Sequence, residues 1–222
     1  MEREKIAIIG GTGDLGYGLA LRWAGAGLDI VIGSRDAARA EEAAGRVATT
    51  VPNAKVPGAA NPEAAAQASI VVLAVPFSGQ AAILKSIRAS LANAILVDTT
   101  VPLAASVGGK PTRLLGVWEG SAAEQAADLA PGVPVVAAFH NVSATALQDL
   151  AHTLDCDILV CGDDKAAKER VSALVNLIPG LRPLDAGPLE TARIVESITA
   201  LLISLNRRYK THSAIKITGI NT

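Results

Sequence analysis

Six residues near the start limit this chain more than any others. Gly11-Thr12-Gly13-Asp14-Leu15-Gly16 fits G-x-G-x-x-G. The motif lies between a buried strand candidate at 5–10 and a helical pattern at 14–25, which sets Leu15, Leu19 and Trp23 at i, i+4 and i+8. A strand that turns into a helix in this way leaves backbone N–H groups free at the helix start, where the helix dipole favours an anion. The glycines have separable expected roles. Gly11 permits the tight turn, Gly13 lets a pyrophosphate approach the backbone, and Gly16 lets the helix lie close on the strand. The alternative is a Gly-rich turn with no ligand. The surrounding strand–helix–strand unit favours the dinucleotide reading.

The end of the second strand selects the dinucleotide. NAD sites place a carboxylate there, about 20 residues on, against the ribose hydroxyls. This chain has Gly33-Ser34-Arg35 there, with Arg39 one turn later. A hydroxyl and two guanidinium groups bind a 2′-phosphate that a carboxylate would repel. Asp36 stands where a helix N-cap is needed. The reading is NADP, against solvated surface arginines. Val75-Pro76-Phe77 and Val101-Pro102 follow strands at the ends where open α/β sheets bind ligands. They either line the nicotinamide or are proline punctuation of strand ends.

The order of elements sets the fold class. Strands are expected at 28–33, near 54–59, at 69–75, 94–98 and 135–139, with helices at 36–48, from Asn61 (a cap, with Pro62 first), at 78–91 and from the Ser121/Glu124 capping box to about 129. Strands apolar throughout and separated by helices imply a parallel sheet covered on both faces, wound right-handedly into a Rossmann-type doubly wound α/β fold. After His140 the pattern changes. A helix at 144–152, a strand at 157–161, a helix at 164–178, a short segment at 182–185 and a long apolar helix from 189 to about 207 suffice for a small C-terminal α/β domain. The expected division is 1–140 and 141–222. The long helix carries Ile194, Ile198, Leu201, Leu202 and Leu205 and reads as apolar nearly all round, hence buried, with a second subunit as one cover.

Composition excludes several classes. Twenty Lys plus Arg against 21 Asp plus Glu leave a net charge of −1, and aromatics are 3%. Neither suits a nucleic-acid surface. No apolar run reaches the ~18 residues of a membrane span, and no signal-peptide core follows residues 1–5. Cys156 and Cys161 give no disulfide framework and no four-ligand metal set. A cytoplasmic protein that binds neither nucleic acid nor membrane is expected.

The chain resembles the NADPH-dependent reductases of the deazaflavin coenzyme F420 nearly end to end. The resemblance rests on residues 9–16, on Gly33-Ser34-Arg35, on Ser121-Ala122-Ala123-Glu124 and, most specifically, on 160–164, 180–189 and Arg193-Ile194-Val195-Glu196-Ser197. It implies hydride exchange between NADP and the deazaflavin, stacked in a cleft between the domains. By matching motif it implies NADP contacts at Thr12, Gly13, Asp14, Leu15, Ser34, Arg35 and Arg39. Around the nicotinamide it implies Val75, Gly79, Val101 and Ala144, with the deazaflavin near His140-Asn141-Val142-Ser143-Ala144.

Such a transfer needs orientation and water exclusion, not a nucleophile, so no catalytic side chain and no metal are expected. His140 is expected to hydrogen-bond a ring carbonyl of the second cofactor, against a role in satisfying local backbone. His152 and His212 read as surface residues. Asp163-Asp164 reads as a helix cap rather than a metal site. A catalytic acid at Glu190 or Glu196 is disfavoured. The cluster Arg207, Arg208 and Lys210 is either a dipole partner of its helix or an attractor for an acidic cofactor tail. The competing functions are an NADPH-dependent reductase of an imine, a flavin or a ferric chelate, and an NADP-sensing module without turnover.

Overall fold

Strands without a polar face must be covered on both sides, and the elements are arranged accordingly. The computed structural model describes residues 4–151 and 153–220, so His152 lies outside the described residues. The strands are β1 (Lys5–Ile9), β2 (Asp29–Ser34), β3 (Gly58–Ala60), β4 (Ile70–Leu73), β5 (Ile95–Asp98), β6 (Val135–Ala137), β7 (Cys156–Gly162) and β8 (Leu181–Gly187). The helices are α1 (Asp14–Gly25), α2 (Ala37–Thr50), α3 (Asn61–Ala66), α4 (Phe77–Ile87), α5 (Ala122–Leu129), α6 (Ala144–Gln148), α7 (Lys165–Asn176) and α8 (Ala192–Tyr209). The strands form one sheet in the order β3-β2-β1-β4-β5-β6-β7-β8. Neighbours are parallel except β6 and β7, which meet antiparallel at Val136↔Gly162 and Ala137↔Cys161. The doubly wound α/β fold is thus present, and strands from 141–222 extend the same sheet.

Alternate strand residues feed two cores. Ile6, Ile8, Ile30, Ile32, Ile70 and Val72 face one side with Trp23 of α1, and Ala7, Ile9, Val31, Val71 and Leu73 face the other with Leu84 of α4. Trp23 is fully buried, meets Phe139 edge-on at 5.6 Å, and its indole N–H donates to Leu174 O at 3.0 Å. Among the described residues no helix is long and apolar enough to cross a membrane.

Local chemistry explains where elements differ from expectation. Asp36 caps α2 and Asp164 caps α7, each accepting a backbone N–H. The cap of α3, however, is Ala60; Asn61 is its first helical residue and caps nothing. The segment expected at 182–185 is a full strand, and its Pro183 is tolerated because β8 is a sheet edge. Half of the α5 capping box forms. Ser121 Oγ accepts from Glu124 N, while the Glu124 carboxylate turns to Arg193. The short helix α6 is held by its neighbours. Ser143 caps its start, and the Arg22 guanidinium of α1 donates to the carbonyls of Ala146, Leu147 and Asp149 at its end. A Cβ on Gly18 would sit 2.7 Å from Leu147 Cβ, so a bare α-carbon there lets α6 lie on α1.

Helix α8 is buried on one face within the subunit. Ile194 and Leu201 point outward, 64% and 57% exposed. Its inner face is Ala192, Val195, Ala200 and Leu202, together with Glu196, and Ile198 packs partly against the core.

Candidate functional site

Strand order reverses direction at β1, with β2 on one side and β4 on the other. Ligands of open α/β sheets bind at such a switch point, beyond the carboxyl ends of the strands. A cleft of about 730 Å³ opens there, within the usual range for small-molecule sites. Of the residues expected from the sequence, Thr12, Gly13, Ser34, Arg35, Arg39, Val75 and Gly79 line it.

The turn that forms its floor is built by Gly10 rather than Gly11. Gly10 has φ +85°, and a Cβ there would lie 2.3 Å from Ala74 O. Its N–H donates to Gly33 O at 3.0 Å, while Ala74 N donates to Ile9 O at 2.8 Å. The ends of β1, β2 and β4 are thereby drawn together. Gly11 is buried and restricted by packing, since a Cβ would meet Ile32 and Ile8 O at 3.0 Å. Gly16 behaves as expected. A Cβ would lie 2.7 Å from Gly10 O, so α1 can approach β1 only without one. At Gly13 the protein itself leaves room, with Gly10 O at 3.4 Å the one near neighbour of an added Cβ. Its bare backbone therefore serves the space outside it. No side chain caps α1 at Gly13, which leaves helix-start N–H groups for an anion.

Positive charge lies beside this floor. Arg35 and Arg39 are exposed and have no ion-pair partner among the described residues. Asp36 also lines the cleft, but its carboxylate accepts from Ala38 N, and its own N–H donates to Ser34 Oγ at 3.3 Å.

Asn61, expected to cap α3, lies instead among the residues of the cleft. It lines the cleft and is buried, and its Oδ1 has no hydrogen-bond partner. That oxygen stands 3.1 Å from where a Cβ on Gly33 would be. A buried amide oxygen without a donor is costly unless a ligand supplies one. The Asn-Pro pair carried a turn signal, and nothing in it separated a cap from a residue one position inside the helix.

Gly11, Asp14, Leu15, Val101, His140 and Ala144 do not line this cleft. Asp14 is exposed in the first turn of α1, and its carbonyl accepts from Gln148 Nε2 at 2.9 Å. Leu15 packs against the core, Val101 is half-buried beyond β5, and Ala144 begins α6. His140 is buried at the end of β6, and both ring nitrogens lack partners. Burial holds its pKa down to about 4, so the ring is neutral near neutral pH. Its carbonyl accepts from Thr199 Oγ1 of α8 at 2.8 Å. Phe139, just before it, has φ +65°, a conformation that non-glycine residues rarely adopt. The next side chain, Asn141, donates to Asp157 O at 2.7 Å and leaves its buried Oδ1 unpaired.

Residues 5–102 match the family described as NADP oxidoreductase, coenzyme F420-dependent. The chain is 48% identical to the F420-dependent NADP reductase of Methanothermobacter thermautotrophicus, over 97% of its own length and 95% of that protein. It is 44% identical to the enzyme of the same name from Methanocaldococcus jannaschii, over 97% and 99%. A crystal structure assigned to the F420-dependent NADP reductases, from Arthrobacter sp. FB24, superposes with a TM-score of 0.82 at 30% identity, covering 97% of this chain and 99% of that one. Identity at this level over almost the whole length, together with the shared fold, means that the chain belongs to the F420-dependent NADP reductase family.

Proposed function

We propose that this chain exchanges a hydride between NADP(H) and coenzyme F420, with the dinucleotide in the cleft beyond β1, β2 and β4. The observation that carries the reading is two unpaired guanidiniums beside a side-chain-free turn, in a chain with F420-reductase relatives over its full length. The bound cofactors supply the redox chemistry. The chain's residues bind and orient. Gly13 and the N-terminus of α1, with Thr12, Asp14 and Leu15 around it, meet the pyrophosphate. Ser34, Arg35 and Arg39 take the 2′-phosphate, and Asn61 Oδ1 accepts from a hydroxyl or amino group of the adenosine half. Val75 and Gly79 form the nicotinamide end, with Val101 and Ala144 beyond the cleft. The free ring nitrogens of His140 are suited to a polar edge of the second cofactor. Residues 1–140 act as the NADP-binding part and 141–222 as the wall on the deazaflavin side.

The test is turnover of the purified protein with NADPH and either F420 or a panel of imines, flavins and ferric chelates. The expected result is NADPH oxidation with F420 and little with the others. Turnover confined to another acceptor, or NADPH binding without oxidation, would overturn the reading.

The same proposal includes a cytoplasmic homo-oligomer. Ile194 and Leu201, seven residues apart on α8, share an exposed face with the half-buried Leu205. We assign a second copy of this chain to that face. Light scattering is expected to give at least a dimer and Leu201→Arg a smaller species; a monomeric wild type would refute this.

A further inference from the structure

The polar groups of the Ala122 peptide join two parts of the molecule that the proposed reaction must keep in register. Its carbonyl accepts from Gln80 Nε2 at 3.0 Å. Gln80 is fully buried and follows Gly79, which lines the dinucleotide cleft from α4. The same Nε2 donates to Asp98 Oδ2 at the end of β5, and Asp98 Oδ1 accepts from Thr100 N at 2.6 Å. On its other side, the Ala122 N–H donates to Glu196 Oε2 at 3.0 Å, and the Ala123 N–H donates to Glu196 Oε1, also at 3.0 Å. Glu196 is 1% exposed on α8. Three residues further along that helix, Thr199 holds the His140 carbonyl. Residues at i and i+3 share a helix face.

A contiguous chain of contacts therefore runs from the cleft wall at Gly79, through Gln80, Ala122 and Glu196, to His140. Ser121 Oγ satisfies the Glu124 N–H, and Glu196 satisfies the two N–H groups before it, so a buried carboxylate from another element completes the start of α5. Burial pushes Glu196 up to about 8, against the pull of its two backbone donors, and the Asp98 and Glu124 charges push in the same direction. Asp98 is itself raised to about 6 by burial. The Glu196 carboxylate accepts with both oxygens, one for each N–H, and so ties α8 to the start of α5 in a single arrangement.

We infer that Glu196 is a positioning residue, whose grip on the start of α5 fixes α8 and so, through Thr199, seats the backbone of His140, the residue assigned to the second cofactor. The inference rests on the proposed hydride exchange with F420, but its structural half stands without it. Glu196 touches neither cofactor in this assignment; it acts through Thr199 and His140. Removing the grip should leave dinucleotide binding intact and misplace the second wall.

The experiment compares the full-length wild type with Glu196→Ala for NADPH affinity, for kcat and KM with F420, and for the His140 ring signals in histidine-labelled protein. The expected result is a kcat lower by about 10- to 100-fold, the range that a misplacement near 1 Å produces. NADPH affinity should hold within about twofold, because Gln80, the link to the cleft wall, keeps its bond to Asp98 when Glu196 is removed. The His140 ring signals should shift, and the Ala122 and Ala123 amides should exchange faster with solvent. Where Glu196→Ala fails to fold, Glu196→Gln carries the test. It keeps one acceptor and turns its amide N–H toward the other donor, so the same changes are expected at smaller size. Unshifted His140 signals with freed amides would overturn the inference, as would an unchanged kcat, or NADPH affinity falling in step with kcat. A wild type inactive with F420 would refute the proposed reaction instead, and the His140 signals alone would then decide whether Glu196 seats that residue.

Discussion

Replacing Arg35 and Arg39 together by alanine raises the dissociation constant for NADPH about 100-fold and leaves that for NADH within about threefold. The two guanidiniums stand at the end of β2, exposed and lining the cleft, with no carboxylate partner among the described residues. Asp36, between them in sequence, holds its side chain on the α2 start and so does not neutralise them. A hydrogen bond to a charged group contributes roughly 1.5–3 kcal/mol. Two such bonds at an exposed site, reduced by solvent screening, come to about 3 kcal/mol, or about 100-fold. Only NADPH carries the 2′-phosphate, so the loss must be selective. It must also shrink as ionic strength rises, because wild-type affinity falls more steeply with screening than that of the variant. The measurement is direct titration of both dinucleotides at low and moderate salt. Parallel loss for NADH, or no loss for either, would remove the phosphate from this end of the cleft.

The parts of this assignment that were legible in the sequence are those governed by local rules. The first strand, turn and helix could be read because an apolar run, spaced glycines and a 3.6-residue pattern all agree over residues 5–25. The ends of β2 and β4 follow from the same logic, and Arg35, Arg39 and Val75 reach the cleft; Gly79, implied only by the family resemblance, reaches it too, while Val101 after the next strand does not. The illegible parts depend on what lies across the fold. Gly10 rather than Gly11 takes the left-handed turn because Ala74 O, far along the chain, occupies the place of a Cβ. Which face of helix α8 the subunit buries depends likewise on the rest of the fold. Ile194 and Leu201 stay exposed while Val195, Ala200 and Leu202 turn inward, and Glu196 on that face reaches two N–H groups of α5. Glu196 is disfavoured as a catalytic acid from the sequence, and its hold on the start of α5 is visible only when the two helices are seen together. The antiparallel junction of β6 and β7 was also invisible, because a strand reads the same in either direction.

Gly10→Ala and Gly13→Ala, three residues apart on one turn, should fail in opposite ways. At Gly10 the new methyl meets backbone at 2.3 Å and the residue must keep φ +85°. The left-handed conformation costs a non-glycine residue roughly 1–2 kcal/mol, and a clash that the surrounding strands cannot relieve adds roughly 1–3 kcal/mol. A stability loss of about 2–5 kcal/mol is therefore expected in urea unfolding without ligand, with weaker binding as a consequence. At Gly13 the backbone is extended, φ −87° and ψ 163°, and a Cβ meets nothing closer than 3.4 Å. Unliganded stability should change by less than about 1 kcal/mol, the scale of an N-cap substitution. Affinity for NADPH and NADH alike should fall about 10- to 100-fold, because the methyl occupies the surface on which the shared pyrophosphate must rest. The equal loss for both dinucleotides separates this effect from that of the arginines. A Gly13→Ala protein that binds both as tightly as wild type would mean that no phosphate approaches this backbone, and the cleft would have to serve another ligand.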